Sequence, residues 1–284
     1  MMSRFAYCAL MLAALISPAQ AESPLAKEIF GHIAAPNRAA SEAVGFYSRG
    51  CLSGGETLPE TGPSWQAMRL SRNRNHGHPN LVSFIKGLST VAQQQGWAGL
   101  YVGDMSQPRG GPMLTGHASH QVGLDADIWM LPPARLNLSR QEREALSSIS
   151  VVSKDLSKVN ELWTRGHHNV IKAAAMDPRV QRIFVTPAVK IRMCQSEREQ
   201  GDWLAKIRPW WGHNYHFHIR LKCPPDSPNC KPQDDVPNGT GCAYARDFLV
   251  DMLKPKDPNA PPPKPKPPKT FDWMPAQCQT IAFD

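Results

Sequence analysis

Beyond residue 21 the chain lacks any apolar run approaching the ~20 residues that a bilayer-spanning helix requires, so no later segment reads as an anchor. None of its seven cysteines forms a C-x-x-C pair, which removes the cysteine zinc knuckle from consideration. No internal repeat is visible, and solenoids and propellers are therefore not expected. There is no K-T-G triplet. Ser83 to Lys86 reads S-x-x-K and Ser71 to Asn73 reads S-x-N, but in the reverse of the order used by penicillin-binding acyltransferases, and Ser83 to Lys86 falls inside an ordinary amphipathic pattern. Nor does any nucleic-acid-recognition motif accompany the formal charge of +8, so nucleic acid is not an expected partner. A modest basic excess suits an acidic polymer or a membrane surface equally well.

The first 21 residues carry Arg4, an apolar run from Phe5 to Ile16, and small residues Ala19 and Ala21, the layout of a cleaved secretory signal. Export is the expectation. Cys8 leaves with that leader, so Cys51, Cys194, Cys223, Cys230, Cys242 and Cys278 remain, an even set for which disulfides are the expected state. Six cysteines allow 15 pairings. Spacing singles out only Cys223 and Cys230, which bracket a Pro-rich turn. Residues 22–253 are long enough for one elaborated domain with a real core. From Lys254 to Lys269 half the residues are proline and five are lysine, favouring an extended polyproline segment. Because Cys278 lies beyond it, a bridge from that cysteine to the body would make residues 254–284 a strap along the surface.

Leu81, Val82, Phe84, Ile85, Leu88, Val91 and Ala92 recur at helical spacing and predict an amphipathic helix from Leu81 to Gln95. Gly99 to Gly103 reads as a short strand. Val122, Leu124, Ala126 and Ile128 alternate with Asp125, Asp127 and Trp129, placing both carboxylates on one strand face. Ser139 and Glu142 suggest a capping box. Helices are expected over Glu161 to Met176 and Pro187 to Met193, with a strand from Arg182 to Val185 between them. Tyr215, Phe217 and Ile219 alternate with His216, His218 and Arg220, so the two histidines share a strand face about 7 Å apart. The fold class is α+β, with a small antiparallel sheet flanked by helices and long loops and stapled by disulfides.

Two segments carry chemistry. "TGHASHQVGLDADIW" holds His117, His120, Asp125 and Asp127, and imidazole with carboxylate is the donor set zinc accepts without cysteine. "WWGHNYHFHIRLKC" supplies His213, His216 and His218, too many imidazoles for core packing, because each buried ring needs partners for its nitrogens. Two ligands from one segment and a third from a distant strand are how an open catalytic metal site is assembled. Asp125, on the same face as Asp127, is a candidate to orient a histidine or to cap a turn.

The spacing H-x6-D followed by H-x-H resembles the lysostaphin, D-Ala-D-Ala carboxypeptidase and Sonic hedgehog group of metallopeptidases. Within that group "LSRNRNHGHP", "TGHASHQVGLDADI", "RPWWGHNYHFHIRLKCP" and the six-cysteine layout resemble the penicillin-insensitive murein endopeptidase family, from about Cys51 to Cys242. The resemblance implies a zinc site on His120, Asp127 and His218, carried by the sheet, with His216 at the catalytic position and His213 beside it. It implies that His117 serves additional metal binding. Asp155 matches the aspartate of a family Asp-x-x-His, but no histidine follows it nearby. The implied bridges are Cys51 to Cys278, Cys194 to Cys242 and Cys223 to Cys230. The implied activity is hydrolysis of D-alanyl to meso-diaminopimelyl crosslinks of peptidoglycan in the periplasm. Two alternatives are a D,D-carboxypeptidase of the same group and a non-catalytic, zinc-stabilised peptidoglycan-binding module. His76 and His78 also form H-x-H, but in a cationic loop with Arg72 and Arg74 that disfavours a divalent ion. Arg69, Arg72 and Arg74 are instead candidates to grip the carboxylates of stem peptides.

Overall fold

The computed structural model describes residues 23–197, 201–255 and 257–284; the expected leader lies outside them. Its centre is a six-stranded sheet formed by Trp65–Ala67 (β1), Leu100–Val102 (β2), Asp125–Trp129 (β3), Val180–Val185 (β4), Ile207–Pro209 (β5) and His216–Leu221 (β6). The spatial order is β1-β2-β3-β6-β4-β5. The middle is antiparallel, as the sequence predicts, but each edge adds a parallel pair, β1 with β2 and β4 with β5. Parallel neighbours need a crossover, and helices supply both: Pro79–Gln94 (α1) joins β1 to β2, and Pro187–Ser196 (α3) lies between β4 and β5.

Helix α1 forms because Leu81, Val82, Phe84, Ile85, Leu88 and Ala92 fall on one buried stripe while Asn80, Ser83 and Thr90 lie outside the buried set. His78 caps its start by accepting from the Asn80 N–H at 3.2 Å, and Pro79 occupies the first turn, where its missing N–H costs nothing. Fully burying each Leu or Ile contributes about 1.5–3 kcal/mol. The helix Arg165–Met176 (α2) starts later than the apolar pattern suggests. Asn160 organises a turn there through the Leu162 N–H at 3.0 Å, and His167 accepts from the Thr164 N–H at 3.1 Å to close the first helical turn. Helix Cys242–Leu253 (α4) is not among the expected helices; it buries Cys242, Ala245 and Phe248, spaced three apart along one face. No helix among the described residues is long and apolar enough to cross a membrane.

The period-2 alternation separates the sheet's two faces. Ala126, Ile128, Phe217, Ile219, Ile183 and Val185 join the main core with α1 and α2. Asp125, Asp127, His218 and Arg220 alternate with them in the central strands and so face the opposite side. Three disulfides tie the periphery: Cys51–Cys278, Cys194–Cys242 and Cys223–Cys230. The first anchors the C-terminal segment, whose Met274, Cys278 and Ile281 form a separate small core with Ala26, Phe30 and Val44. Backbone bonds from Ala26 N to Lys269 O, 2.9 Å, and from Phe271 N to Pro24 O, 2.7 Å, complete the attachment.

Candidate metal centre

Strands β3 and β6 pair in a register that sets His218 opposite Asp127 and Arg220 opposite Asp125. Directly opposed side chains share a face, so the cluster follows from alternation plus this one register. The loop before β3 adds His120, whose backbone lies in the left-handed region at φ 66° and whose side chain is fully buried. Its N–H donates to Asp125 Oδ2 at 3.1 Å and Nδ1 donates to the Met105 carbonyl at 2.8 Å. That second bond turns Nε2 toward Asp127, 3.4 Å from its Oδ1. His218 is oriented in the mirror sense: Nε2 donates to Asp125 Oδ1 at 2.9 Å, and Nδ1 lies 3.4 Å from the same Asp127 oxygen.

Two atoms at this point of convergence, His120 Nε2 and Asp127 Oδ1, are buried without a hydrogen-bond partner. Leaving such a group unsatisfied costs about 1–3 kcal/mol each, so the arrangement fits a cation placed between them. His216 Nε2 is 3.6 Å from Asp127 Oδ1 and half-buried. His213 donates Nδ1 to the Trp211 carbonyl at 2.7 Å, its ring 4.9 Å from that of His216. His117 Nε2 donates to Asp104 Oδ2 at 2.9 Å and lies 3.5 Å from Asp127 Oδ2. By mutual distance alone the tightest trio of candidate ligands is His117, His120 and Asp127, all within 4.8 Å. Chemistry favours His218 over His117 as the third, because the contacting nitrogen of His117 is already committed to Asp104 while Nδ1 of His218 is free.

The electrostatics hold Asp127 as a carboxylate, and although burial would lower the pKa of His120, the charges of Asp127, Asp125 and Asp104 raise it. Burial would raise Asp127, but the charges of His216, His120 and His218 hold it well below the usual carboxylate range. Burial lowers His218 to about 4, and burial with the neighbouring His218 and His216 lowers His213 to about 3. Asp104 is likewise depressed, because the His117 hydrogen bond and the charges of Arg74, His117 and Arg72 outweigh its burial.

A cavity of about 700 Å³ opens beside the cluster, lined by His117, His213, His216 and His218, by Phe184, Trp210, Trp211 and Tyr244, and by three arginines, Arg182, Arg208 and Arg220. The arginines expected from the sequence are elsewhere. Arg72 and Arg74 both donate to Asp104 Oδ2, at 3.0 and 2.8 Å, and so brace the carboxylate that holds His117. Arg69 lies over the Trp129 ring at 5.9 Å; neither it nor Arg72 lines the cavity. The neighbouring H-x-H has partners of its own: His76 is buried between Thr57 and Asn73, and His78 caps α1. Asp155 is exposed and accepts from Ser153 Oγ and from Ser157, forming a surface turn outside the cluster. Ser83 Oγ donates to the Asn80 carbonyl on α1 and accepts from Arg179, with no histidine beside it.

Comparison with known proteins places this geometry. A family model described as penicillin-insensitive murein endopeptidase matches residues 43–282. The chain belongs to that family. Among curated relatives, the penicillin-insensitive murein endopeptidase of Haemophilus influenzae is 43% identical over 245 residues, covering 84% of this chain and 81% of that protein. The one from Yersinia enterocolitica is 39% identical over 267 residues, covering 94% and 92%. One from Salmonella newport is 38% identical over 270 residues, covering 94% and 96%. The family match spans both the histidine cluster and the C-terminal segment held by Cys278.

Several residues of the cluster and cavity carry no motif in the sequence. Arg220 stands two residues after His218 on one strand face, so alternation alone could have found it. Asp104, the Met105 carbonyl, Arg182, Arg208 and Tyr244 come from four separate segments, and only the fold brings them to one place.

Proposed function

We propose that this chain is a zinc-dependent murein D,D-endopeptidase of the periplasm, hydrolysing the D-alanyl to meso-diaminopimelyl crosslink, with the ion held by His120 Nε2, Asp127 Oδ1 and His218 Nδ1. The observation that carries the reading is the pair of buried, unpartnered atoms, His120 Nε2 and Asp127 Oδ1, with a third free donor turned toward them. Each histidine ligand is oriented by a bond on its far nitrogen, to Met105 O or to Asp125, as metal-binding imidazoles require. When bound, zinc supplies Lewis acidity that polarises a scissile carbonyl and brings the pKa of water toward ~7.

The remaining steps belong to the chain's own groups. His213, with Nδ1 committed to Trp211, keeps Nε2 as a proton acceptor, and half-buried His216 stands next to it. One of them takes the proton of the attacking water and returns it to the leaving amine. The protonated imidazole then also stabilises the developing oxyanion. Phe184, Trp210, Trp211 and Tyr244 wall the cavity, positioning the peptide and limiting water. No serine acyl-enzyme is involved, which accounts for indifference to penicillin. The three disulfides suit an oxidising compartment such as the periplasm.

The test is chromatography and mass analysis of muropeptides after digestion of crosslinked sacculi, with and without chelator. Crosslinked dimers should fall to monomers only when metal is present. Release of free D-alanine with dimers retained would mean a carboxypeptidase, and retention of every species would mean a binding module. His218→Ala should abolish both zinc and activity, whereas His216→Ala should abolish activity and keep most of the metal. Equal zinc loss in the two variants would refute these separate roles.

A further inference from the structure

Three arginines occupy adjacent positions across strands β6, β4 and β5. Arg220 sits directly opposite Arg182, and Arg208 lies two residues along, opposite Phe184, and so on the same face. Like charges directly opposed on a sheet are unfavourable, so each needs a counter-charge. Among the described residues only Arg220 has a carboxylate within 4.0 Å: its Nε donates to Asp125 Oδ1 at 2.7 Å, and Nη1 donates to Gln233 Oε1. Arg182 donates to the backbone carbonyl of Asp234, while its buried Nε has no partner. Arg208 lies over the Tyr244 ring at 4.8 Å. Among the described residues no carboxylate comes within 4.0 Å of either guanidinium, although both are half-buried in the wall of the cavity that exposes His213, His216 and His218. Burial lowers both guanidinium pKa values; at Arg182 the charges of Arg220 and Arg208 add to it and outweigh the opposing Tyr47 and Asp234.

We infer that Arg182 and Arg208 form an anion subsite of the catalytic cavity that binds the free carboxylate next to the scissile bond on the leaving-group side. This rests on the endopeptidase reading above. Diaminopimelate has two amino-acid centres; the one whose amine is acylated by D-alanine keeps its own carboxylate, one carbon from the leaving nitrogen. A cleavage site for this crosslink must accommodate that negative charge within a few ångströms of the reacting carbonyl. Planar guanidinium forks recognise carboxylates through paired N–H donors, and a low-dielectric wall strengthens the attraction. Arg220, held by Asp125, braces the back of the subsite, while Tyr244 holds Arg208 by its ring face. The same device selects against substrates in which that carboxylate is amidated.

Two synthetic crosslinked dimers test this, one with the free carboxylate at the acylated centre of diaminopimelate and one with it amidated. Wild-type, zinc-loaded enzyme should show a KM lower by about ten- to a hundredfold for the free acid, with kcat within a few fold, as expected for a charged hydrogen-bonding contact. Arg208→Gln and Arg182→Gln should shrink that discrimination to near unity while retaining zinc, and Arg208→Lys should restore part of it. Calorimetric binding of the two dimers to a His216→Ala background reads the same preference without turnover. Equal KM and equal binding for the two dimers in the wild type, or undiminished discrimination in the arginine variants, would overturn the subsite. Failure of the wild type to cut either dimer would instead overturn the endopeptidase reading, with the binding comparison still deciding the subsite.

Discussion

Asp125 is fully buried and divides its oxygens among the His218 ring, the Arg220 guanidinium and the His120 backbone N–H. Its burial would raise its pKa, but Arg220 and His218 more than reverse that, so the group is a carboxylate throughout the working range. Asp125→Asn would leave Arg220 buried without its counter-charge and His218 without its strongest orienting bond. We expect a stability loss of about 3–5 kcal/mol in urea unfolding and a loss of about ten- to a hundredfold in zinc affinity by metal titration. His76 offers a separate residue-scale prediction. Burial between Thr57 and Asn73 lowers its pKa to about 4, against ~6.5 in an unfolded chain. Between those values the unfolded chain takes up a proton that the native one refuses. The contribution is therefore complete above pH ~6.5 and is lost as pH falls toward 4, roughly 3 kcal/mol in all. Urea midpoints measured from pH 7 to 4 should fall more steeply for wild type than for His76→Gln.

The decisive element is the β3–β6 pair. A slip of one residue would move His218 and Asp127 to the core side and expose Ile128 and Phe217, so the hydrophobic face enforces the catalytic register. The cavity's aromatic wall depends on α4, which carries Tyr244 and Phe248, the latter 4.5 Å from the Trp211 ring. The Cys194–Cys242 bridge joins the first residue of that helix to α3. Replacing both cysteines by serine should cost about 2–4 kcal/mol and let the wall shift. In steady-state kinetics the expected signature is a raised KM with kcat and zinc content little changed. A large fall in bound zinc would show that α4 supports the metal ligands too.

At the scale of the molecule, two constraints act on the loop that carries His117 and His120. The hairpin of Glu42–Phe46 with Arg49–Ser53 holds it through Gln121, whose N–H reaches Tyr47 O at 3.3 Å and whose side chain accepts from Gly50 N at 3.2 Å. That hairpin is in turn bonded through Cys51 to Cys278 at the far end of the chain, a separation of 227 residues. Chain-entropy reasoning gives such a crosslink roughly 5 kcal/mol. Cys51→Ser with Cys278→Ser should therefore lower the melting temperature by ~10 °C or more while activity at 25 °C stays within a few fold, since the hairpin's own hydrogen bonds remain. On the proposed function, bound metal would be the second constraint. Chelation should lower the melting temperature by about 5–10 °C, and zinc at a hundred times its dissociation constant should restore it.

Much of the site was legible without coordinates. Period-2 patterning puts Asp125 with Asp127, and His216 with His218, on single faces because alternation is a property of every extended chain. The helix over Leu81 to Gln95 and the Ser139 capping box are likewise local, and both form. What local pattern leaves open is any choice between distant partners. Arg72 and Arg74 stand beside histidines in sequence yet brace Asp104, whereas Arg182 and Arg208 carry no motif and line the cavity. The amino-acid sequence by itself determined which strand faces the Asp125–Asp127 and His216–His218 pairs share. Only the tertiary structure decided which nitrogen of each imidazole is turned to its neighbours, which charges go unpaired and which arginines line the cavity, because those depend on contacts between segments far apart in the chain.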